Sequence, residues 1–147
     1  MKAHGMAGHL IRRLNQISTQ VFSTRVQAAG FDVTQVQFAA MDAILAHPGL
    51  DQAGVAAAIA YDRATIGGVI DRLEQKGYVV RAVSKRDRRA REVRATEAGR
   101  AMFDEILPLV TALQSEVLER LEPKERAAFL ALARKAIGPA PGMTEQG

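Results

Sequence analysis

Apolar side chains recur every three or four residues near the start of the chain, which is the spacing of one face of a helix. The first members of this stripe are Leu10, Leu14, Ile17 and Val21. Gly30 lies just past the stripe, and glycine is typical of the position that follows a helix C-terminus. The pattern therefore predicts a first helix over residues 9–29.

A second helix is predicted between Thr34 and the turn at Pro48-Gly49. Thr34 and Gln37 have the spacing of a capping box, in which each side chain accepts a hydrogen bond from the other residue's backbone N–H. The inward-facing apolar positions of this helix are Phe38, Met41 and Leu45.

Two shorter helices follow this turn. Asp51 can cap the first of them, which carries Val55. Asp62 can cap the second, which runs to Lys76 and stops at Gly77. Because so few residues join the two helices, the segment predicts a helix-turn-helix.

The pattern then changes from helix to strand. Residues 78–83 are rich in β-branched and aromatic side chains, and residues 91–95 predict a return strand after a charged loop. Residues 96 to about 120 return to helical spacing, with Pro108 predicting a kink because proline lacks the backbone N–H. Pro123 suits the first position of a last helix.

The predicted fold class is mainly α with a small β-hairpin wing. A winged helix-turn-helix core over residues 33–95 is flanked by terminal helices over residues 9–29 and 96–137. Residues 138–147 contain two prolines and two glycines in their first half and predict a disordered tail.

The charge of the chain is unevenly distributed. Residues 81–94 carry seven basic and two acidic side chains, a net charge of +5, whereas the whole chain of 147 residues carries +4. A basic patch on a nearly neutral body is typical of a polyanion binder. Since the patch lies on a hairpin directly after a helix-turn-helix, the expected polyanion is double-stranded DNA, with the fourth helix in the major groove and the hairpin on phosphates or the minor groove.

Other functional classes find little support. The chain has no cysteine and three scattered histidines, so no metal site or cofactor is predicted. No phosphate loop, HExxH motif or nucleophile motif indicates an enzyme. The N-terminus lacks a signal-peptide pattern and no apolar run is long enough for a membrane span, so a cytoplasmic protein is expected.

Two blocks of the chain resemble the MarR family of transcriptional regulators. Residues 71–81, DRLEQKGYVVR, are similar to the family's DRLEKKGLVxR signature. The family's wing and wing exit are matched by Asp87-Arg88-Arg89 followed by Val93, Thr96 and Gly99. The resemblance covers roughly residues 10–137 and implies a homodimer whose two winged domains straddle a pseudo-palindromic operator.

The implied dimer interface lies on the terminal helices. Its candidate residues are Leu10, Leu14, Leu118, Leu121, Phe129 and Leu132. Together with Ile17 they form an apolar patch too large to leave exposed on a monomer. The alternative is that these helices pack on their own winged domain.

The candidate DNA contacts fall on the recognition helix and the wing. They are Arg63, Thr65, Gly67, Gly68, Arg81, Lys85, Arg86, Arg88, Arg89 and Arg91. The plainer interpretation is capping and solvated surface for Arg63 and Thr65, and a solvated loop for the basic run. Glycine inside a helix costs about 0.5–1 kcal/mol relative to alanine, so the pair at 67–68 indicates either close approach to DNA or another helix, or mere tolerance.

Three residues, Asp71, Arg72 and Asp87, are expected to have structural roles. Asp87 is expected to brace the wing by holding an arginine, with Arg89 or Arg81 as its partner, as the family resemblance implies. Asp71 and Arg72 are expected to be structural and not to read bases.

The resemblance also implies a small anionic or aromatic effector in a cleft between the dimer helices and the winged domain. The candidate ligand contacts are Arg12, Arg13, Ile17, Phe38 and Met41. An arginine there could pair with a carboxylate through two hydrogen bonds. The alternative is that both arginines are solvated or form interdomain salt bridges.

These features predict a dimeric, sequence-specific DNA-binding regulator, most often a repressor in this family, released by such a ligand. The alternative is a ligand-independent or architectural DNA-binding protein. It predicts equal affinity for all DNA sequences, whereas the regulator prefers one palindrome.

Overall fold

The computed structural model of the protein describes residues 1–139, which form six helices and one two-stranded hairpin. The elements are α1 (Ala7–Ala28), α2 (Gln35–Ala46), α3 (Gln52–Ala58), α4 (Ile66–Gln75), β1 (Val79–Val83), β2 (Arg91–Ala95), α5 (Glu97–Val117) and α6 (Pro123–Ile137). The predicted fold class, mainly α with a β-hairpin, is confirmed. Residues 140–147 of the predicted disordered tail lie outside the described residues.

Local capping explains the ends of the first three helices. Gly30 follows α1 with a φ of +89°, in the left-handed region that glycine adopts without strain. Thr34 and Gln37 form the predicted capping box of α2. The Oδ1 atom of Asp51 accepts a hydrogen bond of 2.7 Å from the N–H of Gly54, so Asp51 caps α3 as predicted.

The fourth helix begins later than predicted, at Ile66 and not directly after Asp62. Asp62 closes a separate turn before the helix: its Oδ1 atom accepts from the N–H of Ala64 at 2.8 Å, and its carbonyl accepts from the N–H of Ile66 at 3.0 Å. An aspartate whose side chain bonds the backbone two residues on favours such a turn. Arg63 and Thr65 therefore lie in the turn that leads into α4.

The hairpin is antiparallel, and its register pairs Val79 with Ala95 and Val83 with Arg91. Its second strand is also bonded to the turn before α3, because the N–H of Val93 donates to the carbonyl of Leu50 at 2.8 Å. A bridge between Asp51 and Glu92 extends this contact. The wing is thus attached by its backbone to the helix-turn-helix.

The core is almost entirely aliphatic and lies where α2, α4 and α5 meet the hairpin. The largest fully buried side chains are Phe22, Met41, Ile44, Ile66, Ile70, Leu73, Ile106, Val26, Val55, Val79 and Val93. Helices α1 and α5 pack together and share an ion pair of 2.7 Å between Arg25 and Glu116. The hydrogen bond to Glu116, and then its charge, raise the pKa of Arg25.

The two C-terminal helices differ in how they pack. Helix α5 buries six residues and continues through Pro108, so the predicted kink stays a prediction. Helix α6 begins at Pro123, where Glu122 and Glu125 form a capping box. No residue of α6 is buried, although the helix is 15 residues long.

Candidate nucleic-acid interface

One concave, positively charged surface lies between the helix-turn-helix and the wing. Its cavity has a volume of about 510 Å³ and is lined by side chains from α3, from the start of α4, from β1 and from the wing loop. Four of the lining residues are the predicted DNA contacts Arg63, Arg81, Arg89 and Arg91. The fold therefore brings together cations that lie up to 28 positions apart in sequence.

Arg81 is used within the protein and is not free for DNA as the sequence predicted. Its guanidinium forms an ion pair with Asp71 and donates to the carbonyl of Gly67 at 3.4 Å. The side chain is only 17% exposed. Arg81 thereby joins β1 of the wing to the recognition helix α4, and the structural role expected of Asp71 is to hold this arginine.

Asp87 bonds backbone N–H groups of the wing loop. It does not pair with the side chain of Arg89 or Arg81, and the expected partner is corrected accordingly. Its Oδ1 atom accepts from the N–H of Arg89 at 2.9 Å, and its carbonyl accepts from the N–H of Ala90 at 3.1 Å. The backbone N–H groups of this short polar turn are thereby hydrogen-bonded within the turn. The side chains of Arg88 and Arg89 remain exposed to solvent.

Sequence reasoning missed Ser84, which is buried at the base of the same turn. Its hydroxyl oxygen accepts from the N–H groups of Arg86 and Asp87 at 3.2 and 3.4 Å. A serine at the end of a strand, directly before a polar loop, is the signal that could have found it.

The remaining wing cations extend into solvent. Within residues 1–139, no acidic side chain pairs with any of five exposed basic residues. These residues are Lys85, Arg86, Arg88, Arg89 and Arg91. By contrast, Arg94 at the base of β2 is paired with Glu92 at 3.2 Å. The charge available to a polyanion is therefore concentrated at the outer end of the hairpin.

The front of α4 presents a small, bare surface. Thr65 is exposed, and its hydroxyl donates to the carbonyl of Asp62 at 3.1 Å. A Cβ atom added at Gly67 would meet Gln52 at an ordinary contact distance of 3.5 Å, and one added at Gly68 would meet nothing within 4 Å. No neighbouring helix therefore requires glycine at either position.

Arg72 lies one turn after Gly68 and is exposed on the outward face of α4. The buried residues of this helix are Ile66, Val69, Ile70 and Leu73. Helical spacing places Gly68 and Arg72 opposite this buried stripe. Arg72 has no ion pair within the described chain, so nothing there supports the structural role predicted for it.

Within residues 1–139, the candidate ligand residues differ widely in burial. Met41 is fully buried in the core, so it cannot line an open cleft, and this prediction is corrected. Phe38 is partly buried and stacks on Phe103, with ring centroids 4.9 Å apart. Arg12 is exposed, as is Arg13, whose guanidinium bonds the side chain of Gln16.

The candidate dimerisation residues lie on α1, on α6 and, for Leu118 and Leu121, in the turn between α5 and α6. Leu10 is 49% exposed and Leu132 is 65% exposed. The partly buried members are Leu14, Leu118, Leu121 and Phe129. No helix within residues 1–139 combines the length and the apolar character needed to cross a membrane.

Known proteins resemble this chain over most of its length. The MarR family profile matches residues 31–90, which run from the residues before α2 to the end of the wing loop. The HTH-type transcriptional repressor NicR of Pseudomonas putida is 35% identical over 130 residues, which are 88% of this chain and 81% of NicR.

Two solved structures share both the fold and part of the sequence. BpsR of Bordetella bronchiseptica, whose DNA binding is regulated by 6-hydroxynicotinic acid, superposes with a TM-score of 0.81 at 29% identity, covering 92% of this chain and 96% of BpsR. PcaV of Streptomyces coelicolor, solved with its natural ligand, has a TM-score of 0.80 at 30% identity and covers 92% and 94%. With a helix-turn-helix, a basic wing and relatives that match across both, this chain belongs to the MarR family of winged-helix transcriptional regulators.

Proposed function

We propose that the protein is a homodimeric repressor that binds a pseudo-palindromic site in double-stranded DNA and is released by a small anionic aromatic ligand. The observation that carries this proposal is the row of five unpaired cations on the wing, beside an exposed recognition helix. Two of these cations, Arg89 and Arg91, line the 510 Å³ cavity together with Ile66 at the start of the recognition helix.

The two parts of this surface suit two kinds of DNA contact. Helix α4 presents Thr65, Gly68 and Arg72, and an α-helix of this size fits the major groove. The wing presents long, charged side chains such as Arg88, which favour phosphates or the narrow minor groove. Phosphate contacts fix position whereas base contacts specify sequence, so specificity is assigned to α4 and affinity mainly to the wing.

The apolar surface of the terminal helices supports a homodimer. Helix α6 buries no residue within its own chain, yet it carries Leu130, Leu132 and Ile137, which are 44%, 65% and 81% exposed. A second copy of the chain would cover these residues together with Leu10. Two recognition helices would then contact half-sites about one helical turn apart, on the order of 34 Å.

The similarity to BpsR and PcaV supports an organic ligand as the releasing signal. Arg12 and Arg13 are exposed on α1 and could bind a carboxylate, and Ile17 and Phe38 could contact an aromatic ring. A ligand releases DNA only if it binds better to a conformation whose recognition helices no longer fit the operator.

Selection of duplexes from a random pool, followed by fluorescence anisotropy at several salt concentrations, tests this proposal. We expect one palindromic sequence to be enriched and to bind at least about a thousandfold more tightly than random DNA. Equal affinity for all duplexes would instead support the architectural alternative. 6-Hydroxynicotinic acid and simple aromatic carboxylates are the first ligands to test for release.

A further inference from the structure

The C-terminal end of the recognition helix meets the start of α5 at a single side chain, Thr96. This residue is the N-cap of α5, where its Oγ1 atom accepts from the N–H of Gly99 at 3.1 Å. The same hydroxyl donates to the carbonyl of Gly77 at 2.6 Å. Gly77 follows α4 directly after its C-cap, Lys76. One hydroxyl group thus joins the end of the recognition helix to the N-cap of α5, a helix of the proposed dimerisation region.

Backbone contacts make this junction tight. The N–H of Thr96 donates to the carbonyl of Tyr78 at 3.0 Å. Three residues later α5 passes so close to the same carbonyl that a Cβ atom added at Gly99 would overlap it. That Cβ would also lie 3.0 Å from the Cε atom of Met41 in the core. Helix α5 therefore cannot move towards this corner, and Thr96 opposes its movement away.

The end of α4 is held from the opposite side as well. The N–H of Tyr78 donates to the carbonyl of Leu73 at 2.9 Å, which closes the helix end. The ammonium group of Lys76 bonds the buried side-chain oxygen of Gln37 at 3.0 Å. The Arg81–Asp71 pair also holds α4 to β1, and α4 and α5 both pack on α2, so the Gly77–Thr96–Gly99 junction adds a direct hydrogen-bonded link between α4 and α5 to these contacts.

We propose that Thr96 is a positioning residue that sets the angle between the recognition helix and α5, and thereby the half-site spacing that the dimer accepts. The inference rests on the proposed dimeric DNA binding. It assigns to Thr96 a role beyond capping, because a cap alone would stabilise α5 without restricting the distance between two recognition helices. A looser junction lets each winged domain tilt, so that the dimer tolerates half-sites at more than one separation.

The experiment compares Thr96→Val, which removes both hydrogen bonds of the hydroxyl, with Thr34→Val. Thr34 caps α2 in the same manner but is not part of this junction, so both variants should lose a cap and melt a few degrees lower. Affinity is measured for the selected operator, for operators with one base pair inserted or deleted between half-sites, and for a duplex with a single half-site.

Wild type and Thr34→Val should lose about tenfold or more in affinity when the spacing changes by one base pair, the size of one mismatched contact. For Thr96→Val we expect this penalty to fall to less than half on a logarithmic scale, while single half-site affinity stays as in wild type. Thr96→Ser keeps the hydroxyl and should restore the wild-type spacing profile. If Thr96→Val does not fold, Thr96→Ala removes the same hydroxyl and is measured in its place.

A Thr96→Val profile that matches that of Thr34→Val would overturn the positioning role and leave the proposed DNA binding intact. Absence of any spacing preference in the wild-type protein would instead overturn both proposals. The two failures are therefore distinguishable.

Discussion

The winged region and the last helix, α6, differ in how far a single chain covers their apolar side chains. The hairpin and α4 bury Leu73 and Val93, and their exposed side chains are mainly charged, although Val80 and Val83 of β1 are 51% and 56% exposed. Helix α6 exposes its apolar residues and buries none. The comparison supports the two proposed partners, DNA for the mainly charged surface of the winged region and a second copy of the chain for the apolar side chains of α6.

The strongest way to break this comparison is to place a charge on α6. Leu132→Glu should prevent dimer formation without unfolding the monomer, because Leu132 is 65% exposed in the single chain. Loss of the second winged domain removes avidity, so operator affinity should fall about a hundredfold or more. Light scattering and fluorescence anisotropy measure the two effects.

The matched control for Leu132→Glu is Lys135→Glu, which changes a residue of α6 that is already charged and exposed. It should leave the dimer in place. A Leu132→Glu protein that stays dimeric, or that binds the operator as wild type does, contradicts the assignment of α6 to the interface.

A second prediction concerns the bare face of α4. Gly68→Ala should raise the free energy of unfolding by about 0.5–1 kcal/mol, because alanine favours helix and its Cβ meets no atom of the protein. If glycine is needed for close approach to a base pair, operator affinity should fall about tenfold in the same variant, the cost of one lost base contact.

Gly8→Ala in α1 is the control for that variant, since its Cβ would also lie in open space. It should leave operator affinity unchanged. Chemical denaturation and anisotropy separate stability from binding, and unchanged DNA affinity in Gly68→Ala would mean that α4 approaches DNA with room to spare.

The smallest expected effect concerns the unpaired wing cations. Arg88→Ala should weaken binding to all duplexes and reduce the slope of log K against log salt by about one, as expected for one lost phosphate contact. Arg94→Ala removes the same formal charge from a residue already paired with Glu92, so its slope should change less. Equal slopes for the two variants would show that only the net charge of the hairpin matters.

Capping residues and the alternation of side-chain types predicted the helix starts and the strand that depend on neighbouring residues in sequence. Residues 91–95 were predicted as a strand and form β2, and Thr34, Asp51 and Thr96 cap the helices that follow them. Helix α4 begins three residues late because Asp62 closes a turn of its own, an outcome that the capping signal alone does not distinguish.

Most of the remaining errors concern contacts between elements. The sequence shows Arg81 as one cation of a basic run, and only the packing of β1 against α4 brings it to Asp71. Likewise, the spacing of Met41 indicates that it lies on the inward face of α2. It does not show that the core covers this side chain completely, as it does in the structure. The ligand cleft could not be derived from one chain because its proposed boundary includes the dimer helices.

The attachment of β2 to the turn before α3 has a consequence for how such a regulator can evolve. The bond between the N–H of Val93 and the carbonyl of Leu50 involves only backbone atoms, so it makes no demand on side-chain identity. Substitutions at the tip of the hairpin can therefore change its charge while its anchorage is inherited unchanged. Under the proposed division of roles, gene duplication followed by drift at these few exposed positions is a short route to a regulator of different DNA affinity, whereas a new operator sequence requires changes in α4.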